Sequence, residues 1–412
     1  MQYKIREEKQ GAMLFDQDKG HVVKLTEEDY LDILKGKSGR FNYLFDNNKP
    51  LFRLYKSGIS RKQLPSDCLS APSKVYFEIT RKCNLNCKYC YNKSNKTFSN
   101  ELNKEQIFSL LNELAGLGTF EIRFTGGEPT THPDFFEIVK HAKKLDFFIS
   151  LGTNGIWDKE TLEKIKMSGI KVIVISLDGP EDYNDSLRGK GTFKKIVSTI
   201  KSLRKDKNLI LKLNTVLCKN NKKHIGYVIG LADSLGIDVV NFATLKLNGR
   251  AYEDKNKALT PKDMFVAVSN ITELRKRHKT EIRTYLDIIQ PLNNYTSSLI
   301  NKKSCAAGIE VAAVSPFGEV YGCVVSPAND SNSKDKQMFI AGNISKNKFI
   351  DVWLDSSKWQ VYRNLKKIKS KKCLNCRFYT KTCFGNCAIE SYLHNGKLNS
   401  ENPYCFVDCL KV

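Results

Sequence analysis

No apolar run of roughly 18 residues, the length a membrane-spanning helix needs, occurs anywhere in the chain. The N-terminal stretch Met1-Gln-Tyr-Lys-Ile-Arg-Glu-Glu8 also lacks the apolar core of a secretory signal. These absences exclude a membrane span and an export peptide, so a cytoplasmic protein is expected. Histidine is scarce, 6 in 412 residues, and neither a histidine nor a further cysteine falls between Cys90 and His132. A structural zinc site at the cysteines before that gap would want a close fourth ligand, which the sequence does not offer there. Acid is short as well: 44 Asp and Glu face 67 Lys and Arg, a formal charge of +23. The lysines are scattered, densest at 366–372, without aromatic interleaving, so the excess reads as compositional bias and no nucleic-acid partner is expected.

Thirteen cysteines are present, and in a chain with no export signal they are expected to be metal ligands rather than disulfides. Three of them, Cys83, Cys87 and Cys90, follow the apolar run Val75-Tyr-Phe-Glu-Ile-Thr80 at spacing C-x3-C-x2-C. Three thiols on a tight loop leaving a strand can close on three corners of a four-iron cluster and leave the fourth iron open for chemistry. One strand and helix downstream, Glu121-Ile-Arg-Phe-Thr125 runs into Gly126-Gly127-Glu128-Pro129. Paired glycines let a ligand approach bare backbone, and the following carboxylate can accept hydrogen bonds from an ammonium group.

The three-cysteine loop and Gly-Gly-Glu-Pro together resemble the radical S-adenosylmethionine (SAM) superfamily. In that family the open iron chelates the methionine amino and carboxylate groups, and one electron cleaves SAM to a 5'-deoxyadenosyl radical that abstracts a substrate hydrogen. From about 75 to 246 strands and helices alternate, which by itself argues for a parallel sheet with helices outside. Strands are expected at 75–80, 121–125, 147–152, 171–177, 209–216 and 238–244, and helices at 104–117, 135–145, 159–167, 193–205 and 225–235. Six such units resemble the partial (β/α)6, TIM-like barrel of the superfamily, whose chemistry sits at the C-terminal strand ends. There the sequence places Gly152-Thr-Asn154-Gly, Ser176-Leu-Asp-Gly-Pro180 and, twelve residues after Ser176, Arg188. The resemblance implies that Ser176 touches the SAM ribose or methionine moiety, that Arg188 contacts its carboxylate and that Tyr89 lies beside the adenine. Gly126, Gly127, Glu128 and Asn154 complete the expected cofactor-binding set.

Residues 1–70 read as a separate small α+β unit. Short strands at 12–16 and 21–25 flank the turn Gln17-Asp-Lys-Gly20, and Thr26 caps a following helix. Hairpin then helix resembles the winged-helix-like, PqqD-like domain that binds leader peptides; the other reading is an N-terminal extension that pads the barrel. Residues 71–250 are assigned to the barrel, 251–300 to a bridging region opened by a helix at Thr260-Pro261, and 301–412 to a cysteine-rich domain. In that last region Val311-Ala-Ala-Val-Ser315 and Glu319-Val-Tyr-Gly-Cys323 flank Pro316-Phe-Gly318, a hairpin presenting a thiol. Spacing alone leaves two zinc ribbons open.

The pattern Cys305, Cys323, Cys373, Cys376, Cys383, Cys387, Cys405, Cys409 resembles the SPASM extension, which holds two auxiliary four-iron clusters. The resemblance implies Cys305, Cys323 and Cys387 for the inner cluster and Cys373, Cys376, Cys383 and Cys405 for the outer one. Cys409 is either a fourth inner ligand or a free thiol; without a fourth thiolate the inner cluster keeps an open iron for a substrate side chain. Cys68 and Cys218 are expected to be idle buried thiols. One departure is a gap of six residues before Cys383, where five is usual in the family. Another is Val324, where sulfatase-maturing relatives carry a proton-accepting aspartate; a valine takes no proton, so that activity is disfavoured. The expected cofactors are therefore SAM, one radical-generating [4Fe-4S] cluster and two auxiliary ones. The expected partners are a ribosomally made peptide or protein, carrying a leader, and an electron donor such as a flavodoxin or ferredoxin. Modification of a tetrapyrrole side chain is the alternative, and a zinc-binding interaction protein a third.

Overall fold

The computed structural model describes residues 2–37, 39–47, 49–56, 59–96, 98–284, 305–326, 335–364, 369–379, 383 and 385–410. The bridging region beyond 284 and part of the lysine-dense 366–372 stretch lie outside the described residues.

The chain begins with β1 (Tyr3–Glu7), β2 (Ala12–Asp16) and β3 (His21–Leu25), followed by α1 (Glu27–Leu34), the two-residue ladder of β4 (Phe45–Asp46) and β5 (Lys49–Pro50), and β6 (Phe52–Tyr55). The hairpin of β2 and β3 and the start of α1 lie where the sequence puts them. Thr26 and Asp29 form a reciprocal capping box that satisfies two otherwise orphaned helix N–H groups. β1 and β6 complete a sheet of order β3-β2-β1-β6.

Residues 1–70 have a small core of their own and also pack on the barrel, and the reason is the period of β2. Ala12 and Leu14 face the core under α1, with Ile5, Leu25, Tyr30 and Ile33. Met13 and Phe15, on the opposite face, pack with Leu69, Phe120, Phe148 and Val172 at the start of the barrel strands. Phe15 stacks on Phe120 at 5.1 Å. Arg6, fully buried, donates to the carbonyls of Pro72 and Gly118. The N-terminal sheet thus forms the floor of the barrel.

The barrel strands are β7 (Lys74–Glu78), β8 (Glu121–Thr125), β9 (Phe148–Thr153), β10 (Val172–Ser176), β11 (Ile210–Leu217), β12 (Val239–Thr244) and β13 (Glu281–Thr284). The helices between them are α2 (Lys104–Gly116), α3 (Phe135–Lys144), α4 (Lys159–Met167), α5 (Glu181–Arg188), α6 (Thr192–Leu203), α7 (Ile225–Ser234) and α8 (Pro261–Arg275). All six expected strands are present within two residues, and β13 adds a seventh inside the stretch assigned to a bridge. Four residues with one buried apolar side chain, Ile282, give too short an alternation to read as a strand. α5 is likewise new, being almost entirely polar along its sequence.

Along each barrel strand, alternate residues divide between two environments. Ile122 and Phe124 of β8, and Leu211, Leu213 and Leu217 of β11, join the core beneath the helices. Burial of each such side chain contributes about 1.5–3 kcal/mol. The other set faces the lumen and is polar: Glu121, Arg123 and Thr125 of β8, and Lys212 and Asn214 of β11. Closed barrels of this type fill that space with branched apolar side chains, so a polar lumen marks a cavity built to be entered.

The cysteine-rich domain joins the same sheet. β14 (Val311–Val314) runs parallel to β7, and β15 (Glu319–Tyr321) and β16 (Ile340–Asn343) follow antiparallel, giving the ten-stranded order β13-β12-β11-β10-β9-β8-β7-β14-β15-β16. The expected hairpin is present, and it extends the barrel edge. α9 (Phe349–Leu354) then places Trp353 in the core, where its indole N–H donates to Leu69 O at 2.8 Å. Among the described residues no helix is long and apolar enough to cross a membrane.

Candidate active site

β7 delivers the chain directly into the three-cysteine loop, and a buried and a half-buried carboxylate pin its ends. Glu78 pairs with Arg81 at 3.4 Å and accepts from Tyr91, while Glu101 accepts from Thr80 Oγ1 and Arg81 N, both at 2.7 Å. The paired glycines lie against this loop. Gly127 N donates to Thr80 O and Glu128 N to Lys82 O. A Cβ on Gly126 would meet Thr80 O at 2.4 Å, and one on Gly127 would meet Lys82 O at 2.1 Å. Backbone contact with the cysteine loop is what requires glycine here. Gly127→Ala is expected to displace that loop and lower bound iron by about 4 per chain, leaving the auxiliary clusters; iron and sulfide assay of the reconstituted variant checks it.

Glu128 follows directly after the paired glycines, against the cysteine loop. It is fully buried and its oxygens accept from Thr153 Oγ1 and Thr130 Oγ1 at 2.9 Å and from Asn154 N at 2.8 Å. A buried carboxylate needs such donors to remain tolerable; even with them, burial pushes Glu128 above the usual range. In this geometry it braces the ends of β8 and β9. Asn154 follows from that brace. Its Nδ2 reaches Asn84 Oδ1 at 2.7 Å and Cys83 Sγ at 3.8 Å, joining the β9 end to the first thiol.

Ser176 closes β10, in register with Asn214 of β11 and, one strand further, Asn241 of β12, whose Nδ2 donates to Asn214 at 2.7 Å. Arg188, at the end of α5, is buried and donates from Nε to Asp178 at 2.7 Å. Tyr89 bonds to both Arg188 and Asp178. Burial pushes the Tyr89 hydroxyl well above its ordinary value. Arg188 Nη1 has no hydrogen-bond partner among the described residues, so one arm of the fork stays available.

A further clamp went unread in the sequence. Gly249, just past β12, has a positive φ of 60° and no room for a Cβ, with Cys90 O and Tyr91 O both 2.4 Å from where it would sit. Arg250 then donates from Nε to Cys87 O at 2.7 Å and from its backbone to Cys90 O at 2.9 Å. Glycine-arginine directly after a strand was the available signal. It carries weight only once the loop it closes on is known.

These residues fit an iron-sulfur group. Burial, with Glu128, Cys87 and Cys90 nearby, pushes the Cys83 thiol up to about 12. A cationic iron core would remove that cost, since ligation takes the thiolate form. The C-terminal thiols fall into two groups. Cys323 is pushed up to about 12 by burial and then by Cys305 and Cys387, which places those three together. Cys387 occupies the N-cap position of the helix Ala388–Asn395. Cys373, Cys376, Cys383 and Cys405 line one cavity of about 490 Å³ with Phe378 and Tyr379. Backbone N–H groups of Gly385 and Asn386 point to Cys383 and Cys373 at 3.3 and 3.1 Å. The extra residue before Cys383 therefore leaves the set intact. Cys409 sits on a one-turn helix whose Asp408 pairs with Lys372, beside the outer set. Cys68 is buried and pushed up to about 12 by that burial; Cys218, also buried, lies 3.0 Å from Tyr183 Oη.

The sequence profile of the radical SAM superfamily matches residues 77–230, and that of the SPASM iron-sulfur cluster-binding domain matches residues 305–377. The chain is similar to an AdoMet-dependent heme synthase of Methanosarcina barkeri, 28% identical across 82% of this chain and 97% of the relative. It is also similar to the mycofactocin maturase MftC of Mycobacterium tuberculosis, 27% identical across 82% and 83%. Its fold matches the crystal structure of Streptococcus suis SuiB bound to precursor peptide SuiA, with a TM-score of 0.71, 16% identity and 98% of each chain covered.

Proposed function

Because this chain belongs to the radical SAM superfamily and carries a SPASM iron-sulfur domain, we propose that it modifies a ribosomally made peptide, crosslinking or otherwise oxidising its residues. When bound, SAM and a reduced four-iron cluster would supply hydrogen-abstracting radical chemistry, with the electron coming from a donor such as a flavodoxin or ferredoxin. The chain's own residues hold and orient. Cys83, Cys87 and Cys90 ligate the cluster, and Gly126 and Gly127 offer bare backbone beside it. Ser176 and Asn154 present polar strand ends, and the free arm of Arg188 receives the methionyl carboxylate. Tyr89, lining a cavity of about 410 Å³ with Tyr183, Val216 and Leu245, stands beside the adenine. Cys305, Cys323 and Cys387 ligate the inner auxiliary cluster, and Cys373, Cys376, Cys383 and Cys405 the outer one.

The observation that carries the peptide reading is the edge of the N-terminal sheet. Among the described residues β3 pairs only with β2, and Val23 on β3 and Leu31 and Leu34 on α1 are 45, 42 and 45% exposed. An extended leader can add to that edge by main-chain hydrogen bonds, with the apolar side chains giving selectivity. Deleting residues 1–70 is a poor test, because Met13 and Phe15 floor the barrel. Val23→Asp with Leu31→Asp leaves the floor alone. This variant should cleave SAM at the parent rate yet modify a full-length precursor no faster than its leaderless core, as read by mass spectrometry after anaerobic reaction with candidate precursors. Undiminished modification of the full-length precursor would remove the leader-binding role. The 28% identical heme synthase keeps a second reading, modification of a tetrapyrrole side chain, which wins if a porphyrin substrate is altered and no precursor is.

A further inference from the structure

The lumen face of the barrel carries a belt of charge that spans several rows. Arg283 of β13 is level with Ser176, Asn214 and Asn241, and Lys212 of β11 lies two residues, about 7 Å, below Asn214. Arg123 of β8 lies lower, and Lys74 of β7 lower again; the carboxylates on these strand faces are Glu121 and Glu281. The ladder registers join them around the wall: Lys74 opposite Glu121, Tyr76 opposite Arg123, and Asn241 opposite Arg283. Lys74 is matched by Glu121 at 2.7 Å, and Arg283 by Glu281 at 2.8 Å. Lys212 and Arg123 have no ion-pair partner among the described residues; Arg123 lies 5.6 Å from the Tyr76 ring. Around Glu121, whose ladder partner is Phe148, the floor is apolar, formed by Met13, Phe15, Phe120, Phe148 and Val172.

We propose that this belt is a carboxylate-binding subsite, with Lys212 and Arg123 receiving an acidic side chain of the substrate held beneath the radical-generating cluster. The proposal rests on the peptide reading above and names a property of that peptide, a Glu or Asp beside the residue that loses hydrogen. Lys212 and Arg123 share the carboxylate Glu121, which already pairs with Lys74, so positive charge is in excess on this wall. Burial, with Arg283, Arg123 and Lys74 facing it and only Glu121 opposing, brings Lys212 down to about 8. An entering carboxylate reverses this, since an opposite charge within hydrogen-bond reach favours the ammonium form. The structural alternative, solvated side chains lining a wet lumen, predicts no preference between an acid and its amide.

The test uses reconstituted full-length enzyme with SAM and three probes: acetyl-Gly-Glu-Gly-amide, its Gln counterpart, and the dicarboxylate mesoporphyrin. The Glu peptide should bind about tenfold tighter than the Gln peptide, and Lys212→Met and Arg123→Gln should each erase that ratio while Lys212→Arg retains it. Calorimetry near pH 8 in two buffers should show proton uptake on binding the Glu peptide, absent in Lys212→Met, a signature that a structural role would not produce. Equal binding of Glu and Gln peptides, or no binding of either, overturns the subsite whatever the fate of the peptide reading. Tight, Lys212-dependent binding of mesoporphyrin alone upholds the carboxylate subsite and overturns its assignment to a peptide. If Lys212→Met loses iron on reconstitution, Arg123→Gln decides by the same ratio.

Discussion

Alanine at Cys83, Cys87 and Cys90 together is expected to abolish 5'-deoxyadenosine formation under dithionite and to lower bound iron from about 12 to about 8 per chain. The loss should be complete because all three thiols belong to one loop held by four separate contacts: Glu101, the Gly126–Gly127 backbone, Asn154 and Arg250. None of these contacts involves the C-terminal cysteine sets. The outer cavity, ringed by Cys373, Cys376, Cys383 and Cys405, should therefore keep its cluster, as should the inner trio. Undiminished deoxyadenosine in the triple variant would sink the radical SAM chemistry; iron falling to zero would show that the auxiliary sets depend on the first loop.

Asp178→Ala is expected to destabilise the barrel by about 3–5 kcal/mol, because it strands the buried Arg188 guanidinium without its counter-charge. Asp178 is fully buried and takes Arg188 Nε at 2.7 Å on one oxygen and Val216 N at 3.0 Å on the other. It therefore ties α5 to β11 as well as orienting Tyr89. The double variant Asp178→Ala, Arg188→Met should recover part of the loss, since it removes the unpaired charge. Chemical denaturation of the three proteins checks both statements. A single variant within about 1 kcal/mol of the parent would mean that water reaches Arg188 and that the site is more open than its burial implies.

The parts of this molecule that were legible in its sequence share one property: their signal is local. The C-x3-C-x2-C loop, the hairpin turn at Gln17–Gly20, the Thr26 cap and the alternation of β8 and β11 each lie within a dozen residues. What stayed hidden depends on pairs far apart in the chain. The clamp of Gly249 and Arg250 on the cysteine loop and the bracing of Glu128 by the β9 end are of this kind, as is the packing of Met13 and Phe15 against Phe120 and Phe148. Glu128 shows the limit most clearly. A carboxylate after paired glycines reads as a ligand for whatever approaches the backbone, but its donors come from Thr153 and Asn154, and only the folded chain brings them near. The lumen charges were visible as letters, yet Lys212 and Arg123 gain meaning only when the registers set them on one wall.

The pairing of β14 with β7 has a consequence for how the protein is made. β7 carries the cysteine loop, and one of its edges is covered by β14, with Ser73 Oγ donating to Glu310 O across 237 residues of chain. At about 5–20 residues per second of synthesis, that edge waits some tens of seconds on the ribosome as a naked strand able to pair with a neighbouring chain. A gene fragment ending before residue 311 would leave the edge open permanently, so expression of the barrel alone should give aggregates.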